Sequence, residues 1–264
     1  MLSIKNIKKL HKSKKERIKK KLFIVEGYKE FFMALKGNFK LKEILICKNI
    51  FIKKKFKFFF LKKYIFYINK KIYKKISYRN NTEGIIGIFY IKKINYKKKL
   101  INIIKKKKFI ILINDNIEKP GNLGAIIRTL ETTNIINCII LIYDNFKDIY
   151  NPNIIRSSLG SIFIFPIIII SFNKLKYIIL KYNIKLFGTS INKYNNLNLY
   201  KIKFVNYKKI MIIFGNENKG ISNKWKNIIY KNINIPMFGI INSLNVSISV
   251  AIIIFELLRQ KIFI

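Results

Sequence analysis

The sequence has very few residues of the types that bind metal ions or act as imidazole bases. Its 264 residues include one histidine, His11, and two cysteines, Cys47 and Cys138. The cysteines are far apart and form no CxxC pair, which argues against a zinc site or a disulfide framework and for a reducing compartment. One histidine in a basic N-terminal arm leaves nearly no support for a histidine triad or zinc catalysis. We therefore expect no metal, and we expect both cysteines to be small core residues.

Acidic residues are scarce as well. The chain has 12 Asp and Glu against 54 Lys and Arg, which gives a formal net charge of +42. Such an excess of positive charge favours a polyanionic partner, because Lys and Arg neutralise phosphates and release counterions. However, only five of these residues are Arg, and the abundant Lys, Asn, Ile, Phe and Tyr are what a strongly A/T-biased coding sequence supplies. We therefore interpret part of the charge as a bias of composition.

The sequence also lacks a good candidate for a membrane segment. The first 21 residues are too densely charged for a secretory signal. Of two long uncharged stretches, residues 157–173 are too short and contain Pro166, and residues 232–255 carry many Asn, Ser, Pro and Gly residues. We therefore expect a cytoplasmic protein without a membrane partner. Half of the residues are hydrophobic, enough for the core of one large or two modest domains.

Residues 1–90 are predicted to form a small α/β unit with a basic N-terminal arm. LFIVEGYKEFFMAL, which begins at Leu22, indicates a strand, a glycine turn and an amphipathic helix, and LKEILIC, YIFYI and EGIIGIFY indicate further strands. Residues 91–108 are densely charged without a clean periodicity, so we predict a Lys-rich linker there. The domain boundary is expected within that linker.

Residues 109–264 are predicted to form a second domain around a parallel sheet. Short, β-branched, fully apolar strands alternate with helix-like segments, which indicates a sheet covered by helices on both faces. We expect NKWKNIIYK, residues 223–231, to be a helix, and the last segment to be a mostly buried helix. In such sheets, ligands bind beyond the carboxyl ends of the strands.

Glycine and proline number 11 and 4 in the whole chain, and many of them fall in three loops that follow predicted strands. In the first loop, PGNLGAIIRT, Pro120 and Gly121 turn the chain and Asn122 can cap the next helix. Arg128, further along that helix, can point back toward the loop. An ordinary strand–turn–helix connection with a surface arginine explains this segment equally well.

The second loop, FGNENKGIS, places Gly215, Asn216, Glu217 and Gly220 after a strand. It has neither GxGxxG nor the GKS or GKT ending of a phosphate loop, so neither dinucleotide nor nucleoside-triphosphate binding is supported. The third loop, IPMFGIINSLNVSISVA, bends at Pro236 and contains Ser and Asn residues that need hydrogen-bond partners if they are buried. The alternative is that these residues merely cap the final helix.

These three motifs, in this order, resemble those of the SpoU (TrmH-type) branch of the SPOUT superfamily of RNA methyltransferases. RSSLGSIFIFP, residues 156–166, also resembles the family's segment after the second strand. KKERIKKKLFIVEGYKEFFMAL and NTEGIIGIF are similar to the small ribosomal-protein-like substrate-binding domain that precedes many of these enzymes. The resemblance implies an α/β fold, a parallel sheet with a C-terminal trefoil knot, which is an exception to the rule against knots. It also implies a homodimer in which the knot helices pack across the interface.

For function, the resemblance implies S-adenosylmethionine-dependent methylation of a ribose 2′-hydroxyl in structured RNA. The expected substrate is 23S-type ribosomal RNA, with transfer RNA next. The positions that match the family's cofactor loops are Gly215, Ile235, Met237 and Leu244. The positions that match its catalytic centre are Arg128, Asn122, Glu217, Ser243 and Asn245. The Lys-rich arm at residues 1–21, the N-terminal domain and residues 105–108 are expected to position the RNA backbone.

The chemistry of methyl transfer restricts the roles of these residues. A sulfonium methyl group is already a good electrophile, so the protein must mainly hold the 2′-oxygen in line and help it to lose a proton. Because a guanidinium is not deprotonated in proteins, we expect Arg128 to clamp the adjacent phosphate and stabilise charge on oxygen. Glu217 is expected to orient Asn122, Arg128 or the ribose. Two alternatives stay open, a non-catalytic RNA-binding or ribosome-assembly protein with this fold and a membrane-surface protein.

Overall fold

The computed structural model describes residues 1–52, 59–78, 83–93, 95–142, 148–190, 196–241 and 243–262. These residues divide into two compact units. The first consists of Met1–Ile94 with Asp148–Ile164, and the second of Asn95–Lys147 with Phe165–Ile264. Position 242, in the third predicted motif, lies outside the described residues. No helix in the described ranges is long and apolar enough to cross a membrane.

Helices and strands alternate along most of the chain. Up to residue 90 they are α1 (Ile4–Lys12), α2 (Lys14–Lys20), β1 (Leu22–Glu26), α3 (Tyr28–Lys36), β2 (Leu41–Ile46), β3 (Ile65–Tyr67), α4 (Lys70–Ile76) and β4 (Ile85–Tyr90). Beyond it they are α5 (Tyr96–Ile104), β5 (Phe109–Asn114), α6 (Pro120–Thr133), β6 (Cys138–Ile142), α7 (Pro152–Ser157), β7 (Ile167–Ile170), α8 (Phe172–Lys181), β8 (Lys185–Thr189), β9 (Leu197–Asn198), β10 (Lys209–Phe214), β11 (Lys231–Asn234) and α9 (Val246–Ile262).

The first unit is built on a four-stranded sheet with the order β1-β4-β2-β3. Strand β4 is antiparallel to both β1 and β2, and β3 runs parallel to β2. All five residues of β1 are buried, because it is covered by apolar side chains on both of its faces. Helices α1 and α4 contribute Ile7, Leu10 and Tyr73 to a core cluster with Ile24 and Leu45.

The segment Asp148–Ile164, which follows β6 in the sequence, packs in this first unit. Phe23 of β1 stacks on Tyr150 and Phe163, with ring centroids 4.6 and 5.4 Å apart. The buried Arg17 donates to Asp148 through Nε at 2.9 Å and through Nη2. The expected division into residues 1–90, a linker and residues 109–264 therefore differs from the structure, because tertiary contacts return a later segment to the first unit.

The predicted linker at residues 91–108 contains the helix α5. Its Leu100, Ile103 and Ile104 are buried in the core of the second unit, where they pack with strands of the large sheet. These residues have the i, i+3, i+4 spacing of one face of a helix. The helix was missed because the lysines within and around it mask this short apolar stripe.

The second unit has a seven-stranded sheet with the order β7-β6-β5-β10-β8-β11-β9, and each neighbouring pair of strands is parallel. This confirms the prediction of an α/β fold with a parallel sheet. The central strands β5 and β6 are apolar and buried along their whole length, as expected for strands covered on both faces. Leu100 of α5 and Leu175 of α8 pack into one core cluster, and α6 packs against α9.

Residues 223–231 do not form the expected helix. The structure has a short 3₁₀ turn, Asn223–Trp225, and the chain then extends into β11. The backbone N–H of Tyr230 donates to the carbonyl of Leu186 at 2.7 Å, so the chain has already joined the edge of β8 one residue before β11 begins. Pairing with the sheet therefore overrides the local helical pattern.

Candidate active site

A cavity of about 400 Å³ lies where strands β8, β10 and β11 end. Its wall includes all four positions that were predicted to bind a cofactor, Gly215, Ile235, Met237 and Leu244. Two of the predicted catalytic residues, Glu217 and Ser243, line it as well. The second and third predicted motifs therefore meet at the carboxyl ends of parallel strands, where ligands of such sheets bind.

The loop after β10 is a tight turn that depends on two glycines. Asn216 and Gly220 form a pair of backbone hydrogen bonds at 3.0 and 2.9 Å, which closes the loop on itself. A Cβ atom at Gly215 would lie 2.2 Å from the carbonyl carbon of Gly220, too close for any side chain. Gly220 has a φ of +65°, in the left-handed region that favours glycine.

Two polar residues outside the predicted catalytic and cofactor positions hold this loop in place. Asp115, only 1% exposed, accepts hydrogen bonds from the backbone N–H and the hydroxyl of Ser222 at 2.8 and 2.7 Å. Asn216 accepts from the N–H groups of Asn218 and Lys219 at 2.9 and 3.0 Å. One signal pointed to Asp115, because it is one of only 12 acidic residues and directly follows an apolar strand.

Asn122, Glu217 and Asn245, three of the predicted catalytic residues, form a connected network of hydrogen bonds. Nδ2 of Asn122 donates to Oε1 of Glu217 at 2.6 Å. Nδ2 of Asn245 donates to Oδ1 of Asn122 at 3.2 Å. Each of the three motifs thus contributes one side chain to the network, and Glu217 also lines the cavity.

The two asparagines of the network have different relationships to their helices. Helix α6 begins at Pro120 with Lys119 as its N-cap, so the expectation that Asn122 caps it is wrong. Asn122 lies inside the first turn, and its side chain is free to bond across to Glu217. Asn245 caps the start of α9 and also joins it to α6. Its Oδ1 accepts hydrogen bonds from the N–H and the hydroxyl of Ser247 at 2.9 and 2.7 Å, and its Nδ2 donates to Asn122.

Arg128 is not part of the cavity wall. It lies on α6 six residues after Asn122, which corresponds to roughly 9 Å along the helix axis. Its side chain is exposed. No described residue forms an ion pair or a hydrogen bond with its guanidinium. The structure therefore brings Asn122, Glu217, Ser243 and Asn245 together and leaves Arg128 as an exposed cation outside the cavity wall.

The cavity wall combines apolar residues with polar groups and with one side chain of each charge, Glu217 and Lys226. Its apolar part includes Ile235, Met237 and Leu244, and its polar part includes Thr189 and Asn232. Apolar walls with a few fixed polar groups, in a volume of hundreds of Å³, are typical of cofactor sites. In the described part of the chain, no group of three or more His, Cys, Asp or Glu side chains can hold a metal ion.

Two family models match the chain. The model of the SpoU rRNA methylase family matches residues 109–255, which contain the cavity and all three motifs. The model of the MRM3-like substrate binding domain matches residues 2–87, within the first unit.

Individual proteins and structures match as well. The Bacillus subtilis (strain 168) 23S rRNA (guanosine(2553)-2′-O)-methyltransferase RlmP is 25% identical over 254 residues, 96% of this chain and 95% of that protein. An uncharacterised tRNA/rRNA methyltransferase of Borreliella burgdorferi is 38% identical over 157 residues, which are 59% of this chain and 66%, slightly less than two thirds, of the relative.

The crystal structure of the SpoU methyltransferase AviRb from Streptomyces viridochromogenes, in complex with the cofactor AdoMet, superposes with a TM-score of 0.81 at 21% identity. The superposition covers 98% of this chain and 97% of that one, and at this identity it shows the fold alone. The match of the family model, by contrast, covers more than half of the sequence. The chain belongs to the SpoU rRNA methylase family.

Proposed function

We propose that this chain, an S-adenosylmethionine-dependent RNA methyltransferase by family, methylates a ribose 2′-hydroxyl in 23S-type ribosomal RNA. The observation that carries the proposal is the meeting of the three motifs. The cavity lined by Gly215, Met237 and Leu244 adjoins the hydrogen-bonded pair of Asn122 and Glu217. A cofactor pocket and a polar network for orienting a hydroxyl are thus next to each other.

In this proposal the cavity of the second unit holds the cofactor. The closed turn from Gly215 to Gly220 would present its backbone groups to the ligand, and Ile235, Met237 and Leu244 would contact its apolar parts. When bound, S-adenosylmethionine supplies an electrophilic methyl group on a positively charged sulfur. The wall needs no strong acid for this chemistry, because the methyl group is activated by the cofactor itself.

The polar network would orient the ribose rather than supply a strong base. The carboxylate of Glu217 accepts a hydrogen bond from Asn122, and Asn122 in turn accepts one from Asn245. Residues of the first and third motifs therefore fix the position of Glu217. Arg128 has an exposed guanidinium, which suits a bidentate clamp on the phosphate next to the reacting ribose. Because a guanidinium does not give up its proton, the 2′-hydroxyl proton would leave to phosphate or water. Ser243 would contact the ribose from the cavity wall.

The first unit would bind the RNA. Helices α1 and α2 have the sequences IKNIKKLHK and KKERIKK, and most of their lysines are exposed. Lysines on one exposed surface attract an RNA backbone and position it without reading its sequence. The match of residues 2–87 to a substrate-binding domain supports this division of work.

The choice of ribosomal RNA rests on the relative that this chain matches almost end to end, which is named a 23S rRNA guanosine 2′-O-methyltransferase. Transfer RNA stays the second candidate, because the Borreliella relative is named a tRNA/rRNA methyltransferase. We propose that the reaction takes place in the cytoplasm. The competing function is a non-catalytic RNA-binding or ribosome-assembly protein with the same fold.

We also propose that the chain is a homodimer and that its C-terminal part forms a trefoil knot. Large apolar side chains are exposed just before α9, with Phe238 97%, Ile240 99% and Ile241 78% accessible. On α9 itself, Ile248 and Phe255 are half exposed, at 50% and 51%. An apolar surface of this kind is typical of a protein–protein interface, and the family resemblance implies a homodimer in which the knot helices pack across the interface.

A two-step experiment tests the function. Calorimetry with S-adenosylmethionine first measures binding by the full chain, and transfer of a labelled methyl group to 23S rRNA and to tRNA transcripts is then followed, with mapping of 2′-O-methyl positions. We expect saturable binding and methylation at one 23S position. If the chain binds the cofactor but methylates only tRNA, then tRNA would be its substrate in place of ribosomal RNA. RNA binding without either cofactor binding or transfer would support the non-catalytic alternative.

A further inference from the structure

A second cavity, of about 860 Å³, forms a groove in the second unit between α5 and α8. Leu100 and Ile104 of α5, Ile178 of α8, and Ile168 and Ile170 of β7 form its apolar surface. It shares no lining residue with the cavity at the ends of β8, β10 and β11. The groove is therefore not part of the proposed methyl-transfer site.

The two helices face the groove with the same spacing. Residues 97, 100, 101 and 104 of α5 and residues 174, 177, 178 and 181 of α8 line it, and in each helix these positions are i, i+3, i+4 and i+7. Each helix therefore presents one full stripe to the groove. Strand β7 is the first strand in the sheet order, so no further strand of the described chain covers the floor on that side. Two facing stripes over an apolar floor have the shape of a receptor for a third helix.

The charge around the groove is of one sign. Lys97, Lys174 and Lys181 lie among its lining residues, and neither α5, β7 nor α8 contains Asp or Glu. Nζ of Lys181 lies 5.4 Å from the ring centroid of Tyr177 and 5.9 Å from that of Tyr182, so aromatic contacts hold this cation at the groove. An occupant must therefore combine an apolar face with acidic residues on its flanks.

We propose that the α5–α8 groove binds an acidic amphipathic helix of a protein partner. The apolar face of such a helix would pack on Leu100, Ile104 and Ile178, and its carboxylates would pair with the lysines around the groove. RNA is the competing occupant, because Tyr96, Tyr177 and Tyr182 also line the groove, but the continuous apolar surface of Leu and Ile side chains favours the apolar face of a helix. A second copy of this chain fits this groove poorly as well, because with only 12 Asp and Glu among its 264 residues it offers few carboxylates to pair with these lysines.

The test uses the full chain and a labelled synthetic helical peptide with Leu at i, i+3, i+4 and i+7 and Glu on the flanking positions. Binding is measured by fluorescence anisotropy at physiological salt. The test variant is Lys97→Glu/Lys174→Glu. The matched control is Lys98→Glu/Lys176→Glu, which makes the same charge change at exposed positions of the same two helices outside the groove.

We expect the test pair to weaken peptide binding by about tenfold or more and the control pair to leave it within about twofold. Substituting Ile101, which lines the groove half-buried, by Ser should weaken binding in the same way, with circular dichroism to check the fold. Methyl transfer should not change in either lysine pair, which keeps this result separate from the proposed function. Equal loss in both pairs, binding of a scrambled peptide as tight as that of the amphipathic one, or displacement of the peptide by an RNA oligonucleotide would overturn the proposal.

Discussion

Nδ2 of Asn122 lies 2.6 Å from Oε1 of Glu217, although 95 residues separate the two in the chain. The orientation of the Asn122 amide is fixed from its other side, because its Oδ1 accepts a hydrogen bond from Asn245. The amide therefore has one orientation that satisfies both neighbours, with its nitrogen toward the carboxylate. This relationship joins the first motif to the second and third, and it makes a specific prediction about Asn122.

Asn122→Asp should lower kcat for RNA methylation by roughly a hundredfold, the usual effect of losing a positioned polar group in an active site. The new carboxylate would face that of Glu217 and could not donate to it. Affinity for S-adenosylmethionine should stay nearly unchanged, since Asn122 does not line the cavity. Single-turnover methylation and calorimetry measure the two quantities. Asn102→Asp, an exposed change of the same type on α5, is the control; equal turnover in the two variants would contradict the role of the network.

Arg128 should matter for the reaction and not for folding. Its guanidinium is exposed, and within the described residues it has no bonded partner, so Arg128→Ala should change the free energy of unfolding by at most about 0.5 kcal/mol. The same change should lower kcat/KM for RNA strongly, because the phosphate clamp is lost. Arg128→Lys should recover only part of the activity, because an ammonium is a point charge and not a bidentate donor. Near-full turnover of Arg128→Lys would rule out the clamp.

Gly215→Ala should impair cofactor binding because the turn cannot admit a side chain. A Cβ at this position would meet the backbone of Gly220 at 2.2 Å, so the loop must move, and with it the cavity wall. We expect the Kd for S-adenosylmethionine to rise by at least about tenfold. Gly121→Ala is the matched control, since nothing lies within 4 Å of a Cβ there, and alanine is the better helix former. Equal affinities for the two variants would show that the turn does not shape the site.

The candidate site was more predictable from the sequence than the boundaries of the units. Gly215, Met237 and Leu244 were assigned to a cofactor site by the resemblance of their motifs to the family's loops, and they line one cavity because parallel strands bring their carboxyl ends together. Arg128 was expected to point toward the loop, but the structure leaves it outside the cavity wall. The direction of the Arg128 side chain depends on its angular position around α6, which the residue types of the motif do not determine.

Contacts between residues far apart in the chain could not be predicted from the sequence. The role of Asp115 depends on Ser222, which lies 107 residues away. The return of the segment from Asp148 to the first unit depends on Arg17, 131 residues earlier. Asp115 stands out as an acidic residue directly after an apolar strand, but neither contact can be predicted locally, because nothing near either residue in the sequence indicates its partner. Helix α5 was missed for a different reason, since its lysines mask its apolar spacing.

The apolar segment before α9 should decide the oligomeric state. Ile240 is 99% exposed, so a charged residue there costs the isolated fold little but would be buried without a partner in a dimer interface. Ile240→Asp should convert a dimer into a monomer in sedimentation equilibrium, with an unchanged circular dichroism spectrum. Ile52→Asp, at a position that is 83% exposed in the first unit, is the control and should stay dimeric. A dimer that persists in Ile240→Asp would place the interface elsewhere.

The one histidine should make the first unit sensitive to mildly acidic pH. His11 is 7% exposed and stacks on Tyr78 with ring centroids 5.5 Å apart. Burial lowers the pKa of His11 from 6.5 to about 4, and the charge of Arg17 adds to this effect while the backbone of Ile76 partly offsets it. The unfolded chain therefore takes up this proton near pH 6.5, and the folded chain does so only near pH 4.

The stabilising contribution of neutral His11 is thus complete above about pH 6.5 and is lost as the pH falls toward 4. At about 1.4 kcal/mol per pH unit, the loss over this window is roughly 3 kcal/mol. Urea unfolding followed by circular dichroism at pH 7, 6, 5 and 4.5, for the wild type and for His11→Leu, measures it, since the difference between the two cancels all other titrating groups. We expect the difference in unfolding free energy to shift steadily in favour of the variant as the pH falls. A difference that is constant across the range would mean that His11 titrates alike in both states, and that carboxylates account for any acid sensitivity.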